Sequence, residues 1–445
     1  MVDEIHALEE NGTWTIQSLP PKKNPIGCKW VFKIKRRADG TVERYKAQLM
    51  AKGFTQVEGV DFHQTFVPVA KLVTVRYLLT IVVAKQWEMH QLDVNNAFLH
   101  GDLDEEVYMS LPTGFRSTHS NQVCRSRKSL YGLRQASRNW YSKFATTLIQ
   151  YGFQQSEADH SLFTFSHGDI VFAVLVYVDD LILVANDSIS YTTFKTYLHQ
   201  CFRIKDLGAS SYFLGIEIIR SSSGLFLNQR KYTLDILTEA GMLGSRPAYF
   251  PMEQQHQLST DSGDPISDPE QYRRLVGRLL YLTITRPELR YRIHILSQFL
   301  QDPHQGHWDT ALRVLRYLKQ SPRQGIFLRP TSLSLMAYCD ADWASCPVTR
   351  QSLIGYFITL GGSPISWKSK KQTTISKSFA EAKYRAMAAT VSELLWLRSL
   401  LSSLGVYHAG PMHLLCDNQA ALHIASNPVF HERTKHTEID CHFIR

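Results

Sequence analysis

Apolar positions along this chain switch between a two-residue period and spacings of three and four, so the pattern predicts a mixture of strands and helices. KWVFKIKRRADGTVERYKAQLMAKGF reads as two strands around an Asp39-Gly40 turn, with basic residues on both arms. Over 74–84, Val75, Leu78, Leu79, Val82 and Val83 recur at helical spacing. QLDV is a short strand, and NNAFLHGDL a turn into a brief helix. DIVFAVLVYVDDLILVAND reads as two very apolar strands joined by a tight acidic turn. A helix over 188–202 and a hairpin around Ser223-Gly224 follow.

Over 253–270 the composition turns polar, with two Pro and several turn formers, which marks a linker. The helical patterns YRRLVGRLLYLTI, LRYRIHILSQFL and HWDTALRVLRYLKQ come next, broken at Arg286-Pro287 and Asp302-Pro303. From about residue 333 the pattern predicts a strand ending in acids, a hairpin around Gly361-Gly362, a long helix, then a strand running into a helix. No internal repeat or low-complexity tract interrupts this order.

With 445 residues, two to four domains are expected. A 44% hydrophobic and 20% charged composition excludes a disordered chain. The net charge of +9 and pI of about 9.1 favour a polyanionic partner. Seven scattered Cys without a C-x-x-C pair exclude a disulfide framework and point to a reducing, intracellular compartment. The start MVDEIHALEENGTW is acidic and polar, so no secretion signal is read there. The most apolar stretch carries Asp179 and Asp180 at its middle, too costly for a bilayer, and no membrane span is expected.

Those two aspartates carry the chemistry. Adjacent carboxylates between apolar strands pay for desolvation and mutual repulsion, and a divalent cation relieves both. Asp93, in QLDVNNAF, is a third acid at a strand end. Short hard-oxygen ligands suit magnesium, which takes one or two protein carboxylates together with substrate phosphates. Two such ions can activate a 3′-hydroxyl and stabilise departing pyrophosphate.

QLDVNNAFLHGDLDEEVYMSLPTGF, SLYGLRQASRNWY and YVDDLILVAN resemble the palm motifs of copia-type retrotransposon reverse transcriptases. RYKAQLMAKGFTQVEGVDFHQTFVPVAK upstream and YLTITRPELRY downstream are similar as well, so the resemblance runs from about residue 13 to the C-terminus. It implies an α+β fold: a right-hand polymerase with fingers and palm over 1–253, a helical thumb or connection over 254–332, and an RNase H-like mixed-sheet domain over 333–445. It implies an RNA-directed and DNA-directed DNA polymerase with two Mg2+ per site, Mn2+ being a substitute. Asp93, Asp179 and Asp180 would hold the metals. Phe98 would exclude a 2′-hydroxyl, and Tyr177 and Gln135 would lie at the nucleotide and template pocket. Lys46 and Arg76 would grip triphosphate or template from the fingers. The implied partners are an RNA template, an RNA–DNA hybrid, a DNA primer and deoxynucleoside triphosphates, in the cytoplasm (within a virus-like particle) or the nucleus. Oligomeric state is left open. Against the family's usual residues, Asn95 and Gln48 replace Lys and Arg, and Ser137 replaces Pro.

In the C-terminal part, DADWA, SWKSKKQTTISKSFAEAKYRAMA and HERTKHTEIDCHFIR resemble the copia-type RNase H. Asp340, Asp417, Asp440 and Glu381 would form its acidic site, with Asp342 outside it. Where the family shows a second Glu, this chain has Lys383, which puts a positive charge where a cation should sit. Weak or absent RNase H activity on a persisting fold is therefore expected. Relatives usually continue past HFIR, so the domain is expected to be C-terminally truncated. His431, His436, Cys441 and His442 lack a paired Cys motif and read as surface and core residues rather than a zinc site. Lys368, Lys370 and Lys371 either contact phosphates or protect an edge strand. Lys383, Phe379, Arg278 and Arg292 keep two other readings open: a decayed, non-catalytic retroelement product, or a nucleic-acid-binding protein without catalysis.

Overall fold

The computed structural model describes residues 1–36, 41–115, 121–253, 258–408, 410–426, 440 and 444. They fall into two compact units, Met1–Ala70 with His90–Gly208, and Lys71–Met89 with Ala209–Arg445.

The first unit is built on a six-stranded sheet, in the order Ile204–Asp206, Glu88–Val94, Asp180–Ala185, Ile170–Tyr177, Leu162–His167, Gln154–Gln155. Its two apolar central strands pair antiparallel, Leu181 against Val176 and Leu183 against Val174. Every residue over 172–176 and 181–185 is buried, as strands covered on both faces require. Helices Ala136–Tyr151 and Ser188–Cys201 supply Trp140, Phe144, Leu148, Tyr191, Phe194 and Leu198 to one face of that core. The Asp187 carboxylate starts the second helix by accepting from the Ser190 amide at 2.7 Å.

Strands Cys28–Arg36 and Val42–Ala51 form the predicted basic hairpin, whose Asp39-Gly40 turn lies outside the described residues. Gly132, at φ 94°, lets the segment before helix Ala136–Tyr151 approach this hairpin: a Cβ there would stand 2.2 Å from the Ala51 carbonyl oxygen. A three-stranded sheet of Trp14–Ser18, Gln122–Ser126 and Tyr108–Ser110 completes the unit.

In the second unit, helix Leu72–Lys85 is buried at every position over 74–82, as its apolar character on all sides demands. A four-stranded sheet runs Tyr212–Phe213, Ile216–Ser221, Gly224–Asn228, Gly325–Leu328. The region expected to be helical, 254–332, thus ends in a strand, and the compact division falls at Gly208 rather than 253. The physical reason is that one ladder pairs Leu227 with Ile326, joining both sides of the polar linker. Helices Pro269–Leu282, Arg290–Ser297 and Gln305–Gln320 pack around Leu279, Leu296 and Leu315. Asp268 caps the first of them, with Pro269 at its opening position.

A second four-stranded sheet has the order Ser363–Lys371, Leu353–Leu360, Leu335–Asp342, His413–Leu415, the last strand parallel to its neighbour. Strand Leu335–Asp342 alternates buried and exposed along its length. Its buried Cys339 and Ala341 pack against Ala382, Tyr384 and Met387 of helix Phe379–Ser403. Among the described residues no helix is long and apolar enough to cross a membrane.

Candidate active site

The three polymerase-type acids lie at neighbouring strand ends of the six-stranded sheet. Asp93 is one residue from the end of strand Glu88–Val94, and Asp180 opens the adjacent strand. The Val94 amide donates to the Asp179 carbonyl at 3.0 Å, which sets the two strand ends side by side. Burial pushes the Asp179 carboxyl up, helped by Asp93, while Lys46 pulls it down. Burial also pushes Asp180 up, with Asp179 and Asp93 adding to the rise and a hydrogen bond from Gln91 opposing it. The site is thus short of positive charge.

Among the described residues no three His, Cys, Asp or Glu side chains form a ready-made metal cage. Three hard carboxylate donors suit a divalent ion, and the charges of Asp179 and Asp93 add to the raised proton affinity of Asp180.

The turn that presents Asp179 and Asp180 is strained. Val178 adopts φ 57°, a conformation rare for a β-branched residue and costing on the order of 1–3 kcal/mol. The Trp140 indole donates to the Val178 carbonyl at 2.7 Å. Gln91, on the same strand face as Asp93 two residues on, donates from Nε2 to Asp180 Oδ1 at 3.3 Å. Trp140 and Gln91 lie inside quoted motifs, yet only the two-residue spacing of Gln91 from Asp93 signalled either of them.

Phe98 is half-buried, its ring centroid 4.7 Å from that of Tyr131. Burial and the charges of Asp179, Glu4 and Asp93 raise the Tyr131 phenol to about 12. Tyr177 is half-buried and pairs with Asp180 across the strained turn. Lys46 lines a cleft of about 830 Å³ with Lys33, Arg44, Tyr45, Asn95 and Arg203. Lys33 stands directly opposite Lys46 on the hairpin. Like charges so paired are destabilising, and an anion filling the cleft would relieve them.

Two expectations are corrected. Gln135 does not line a template pocket: it is fully buried, accepting from Gln56 Nε2 at 3.1 Å and donating to the Asp61 carbonyl at 2.9 Å. Both ends of its amide are spent holding the 53–61 segment. Arg76 does not grip phosphate. It is 4% exposed, donates to the carbonyls of Ile365 at 2.9 Å and Ile284 at 3.1 Å, and stacks on Trp367. Its donors are consumed inside the second unit.

The second acidic group is divided between two cations. Lys383, 3% exposed, donates to Asp340 and, at 2.7 Å, to Asp417. Burial alone would lower its pKa; the two carboxylates outweigh burial and raise it. The same hydrogen bond holds Asp417 below the usual carboxylate range. Two residues on, Arg385 pairs with Glu381 at 2.9 Å. Burial raises Asp440, the Arg385 charge opposing and the Glu381 charge adding. Glu381 also accepts from the Lys377 amide at 2.8 Å and so helps begin its helix. Asp342 is raised by burial and by Asp340. Asp340 and Asp417 share the Lys383 ammonium and Glu381 pairs with Arg385, so the residues present do not fit a divalent ion.

Arg278, Arg292 and Phe379 were signs of decay in the sequence, yet each has a partner. Arg278 bonds Glu239 and packs on Tyr232, Arg292 lies over Tyr291, and Lys383 lies over Phe379. Lys368, Lys370 and Lys371 lie on an edge strand, and Lys371 donates to Gln298. His431, His436, Cys441 and His442 lie outside the described residues.

The site is thus an acid pair on a strained hairpin beside a third acid, in a six-stranded sheet backed by helices. The family described as reverse transcriptase (RNA-dependent DNA polymerase) matches residues 11–254. The chain belongs to that family. Over its whole length it is 45% identical to the retrovirus-related Pol polyprotein from transposon RE2 of Arabidopsis thaliana, covering 31% of that protein. It is 36% identical, again over its whole length, to the Pol polyprotein from transposon TNT 1-94 of Nicotiana tabacum, covering 34% of it. The chain therefore spans about a third of these relatives, consistent with a fragment of a copia-type retrotransposon polyprotein. A foamy viral protease–reverse transcriptase, solved in complex with double-stranded DNA, aligns at TM-score 0.47 and 11% identity, over 96% of this chain and 64% of that one.

Proposed function

We propose that the chain carries out RNA-directed and DNA-directed DNA synthesis at Asp93, Asp179 and Asp180. The observation that carries the reading is the Val94 amide bound to the Asp179 carbonyl, which brings the third acid beside the pair. These carboxylates would hold two magnesium ions, or manganese, which supply activation of the primer 3′-hydroxyl and neutralisation of the leaving pyrophosphate. Lys46 and its basic neighbours hold triphosphate or template phosphates, contacts that position a strand without reading its sequence. Phe98, braced by Tyr131, stands under the sugar and excludes a 2′-hydroxyl, and Tyr177 lies at the nucleotide and template pocket. RNA template, DNA primer, deoxynucleoside triphosphates and the hybrid product are the partners.

In the same reading, 333–445 is an RNase H-like domain that cleaves weakly or not at all, because the Lys383 ammonium takes the oxygens of Asp340 and Asp417.

The test is extension of a primed RNA or DNA template by the purified chain in magnesium. Asp93→Asn should cost about 10²–10³ in rate, the scale of losing one charge-stabilising group. Extension that ignores this substitution sinks the assignment.

A further inference from the structure

We infer that Trp140 and Gln91 are positioning residues for the catalytic acids, Trp140 by pinning the carbonyl of Val178 and Gln91 by holding the carboxylate of Asp180. This rests on the polymerase reading and adds to it two residues that touch no reacting atom.

Val178 is the residue between Tyr177 and Asp179, and its φ of 57° fixes the direction in which both aspartates leave the strands. A branched side chain does not hold that conformation by preference; the surroundings must impose it. Packing alone does not impose it here. A small void of about 10 Å³, about the space of one water, lies among Val67, Pro68, Ser137, Trp140, Tyr141, Val176 and Val178. On that side the turn has room to relax. Beyond the ladder that closes the turn between Tyr177 and Asp180, the added restraint is the Trp140 indole, whose N–H donates to the Val178 carbonyl at 2.7 Å.

Trp140 can act as a post because its ring is packed on both sides. It is 1% exposed and is wedged against Phe144 and Phe202, with centroids 5.2 Å away in each case. It therefore transmits the position of helix Ala136–Tyr151 to the turn. Gln91 works from the other side. It is 7% exposed, and its backbone is tied at both ends to 207–208, the Gln91 amide donating to the Gly208 carbonyl at 2.9 Å and the Leu207 amide to the Gln91 carbonyl at 2.9 Å. Its side chain reaches Asp180 Oδ1 at 3.3 Å, which selects one rotamer of a carboxylate that burial makes costly to ionise.

The test uses the full chain and three variants: Trp140→Phe, Gln91→Leu and Val178→Gly. Trp140→Phe keeps an aromatic ring in the cluster and removes only the indole donor. It should lower kcat by roughly ten- to a hundred-fold, the cost of a misplacement of about 1 Å, with KM for nucleotide changed by less than about two-fold. A Mn2+ titration followed by electron paramagnetic resonance, with primer–template and a non-incorporable nucleotide bound, should show weaker Mn2+ binding in Trp140→Phe and Gln91→Leu. Glycine accepts φ 57° without strain, so Trp140→Phe in a Val178→Gly background should cost less than half of what it costs alone on a logarithmic scale. Hydrogen exchange of the peptide over 174–182 should quicken in Trp140→Phe, a readout that does not depend on activity.

Unchanged exchange and unchanged Mn2+ affinity in Trp140→Phe would overturn the inference, as would losses that simply multiply in the double variant. A wild-type chain that binds Mn2+ at these acids but extends no primer would instead sink the polymerase reading and leave the positioning role standing on exchange and binding.

Discussion

The Lys383 ammonium donates to the Asp417 carboxylate across 2.7 Å, and the same nitrogen serves Asp340. One built-in cation thus occupies an oxygen of each carboxylate. Lys383→Glu removes that cation and supplies a further acid. Its thermal stability should gain a magnesium dependence beyond that of the wild type, about 1.4 kcal/mol at ten times the dissociation constant. Cleavage of a labelled RNA–DNA hybrid should rise in parallel. Rapid cleavage by the wild type would refute the blocked-site reading.

The same ion triad has a pH signature with a defined sign. Asp417 is held below its ordinary 3.8, so its contribution is present at neutral pH and disappears as pH falls through the depressed value. Lys383 is raised above its ordinary 10.5, so its contribution is full below that pH and disappears as pH rises through the raised value. The stability difference between wild type and Lys383→Met should therefore be flat from about pH 5 to 9 and shrink on both sides. Asp417 is 73% exposed, which keeps the plateau small. Urea unfolding across pH measures it; a difference confined to one side would show that only one partner matters.

Asp179 and Asp180 carry the opposite sign. Burial, together with the neighbouring carboxylates, raises Asp180, so its ionisation opposes folding, and stability is lost as pH rises from 3.8 through the raised value. Asp180→Asn should abolish extension while raising the melting temperature in metal-free buffer, by about 2–4 °C per kcal/mol of relief. Magnesium should close the gap by stabilising the wild type alone. A variant that melts lower than wild type without metal would contradict a charge-strained site.

How far the sequence reached follows from the range of each interaction. The apolar runs around Asp179 and Asp180 and the hairpin over 28–51 were legible because strand periodicity is local. Asp93 was legible as a strand-end acid, and its place beside Asp179 required one long-range ladder bond. Arg76 was misread because its partners, Ile284 and Ile365, lie 208 and 289 positions away. No periodicity encodes such a pair. Gln135 was misread for the same reason, its amide being taken up by Gln56 and Asp61 far upstream. The φ of Val178 was invisible because nothing in its residue type favours that conformation.

Lys33 and Lys46 face each other across the basic hairpin and line one cleft. Removing either charge relieves a repulsion in the free protein and would lose the phosphate contact proposed for the cleft. Lys46→Ala should leave the fold as stable or slightly more so. It should weaken primer–template binding and reduce the slope of log affinity against log salt by about 1. Binding measured from low to moderate salt decides it; an unchanged slope would remove Lys46 from the nucleic-acid path.

Arg76 separates a structural from a substrate-binding role. A guanidinium gripping triphosphate would show its loss in KM. Here Nε and Nη1 donate to two buried carbonyls and the plane stacks on Trp367, 4.0 Å from the ring centroid. Burial drives its pKa down, as expected for a charge taken from water, with Glu393 offsetting part of that cost. Arg76→Met would leave both carbonyls without donors while roughly keeping the side-chain volume. It should destabilise the chain by about 2–4 kcal/mol, the range for losing a buried hydrogen-bonded charge network. Below its lowered melting point, the variant should extend a primer with KM for nucleotide unchanged. Arg76→Lys should recover only part of the stability, because an ammonium cannot span both carbonyls and the indole face. A raised KM with wild-type stability would restore Arg76 to the substrate cleft.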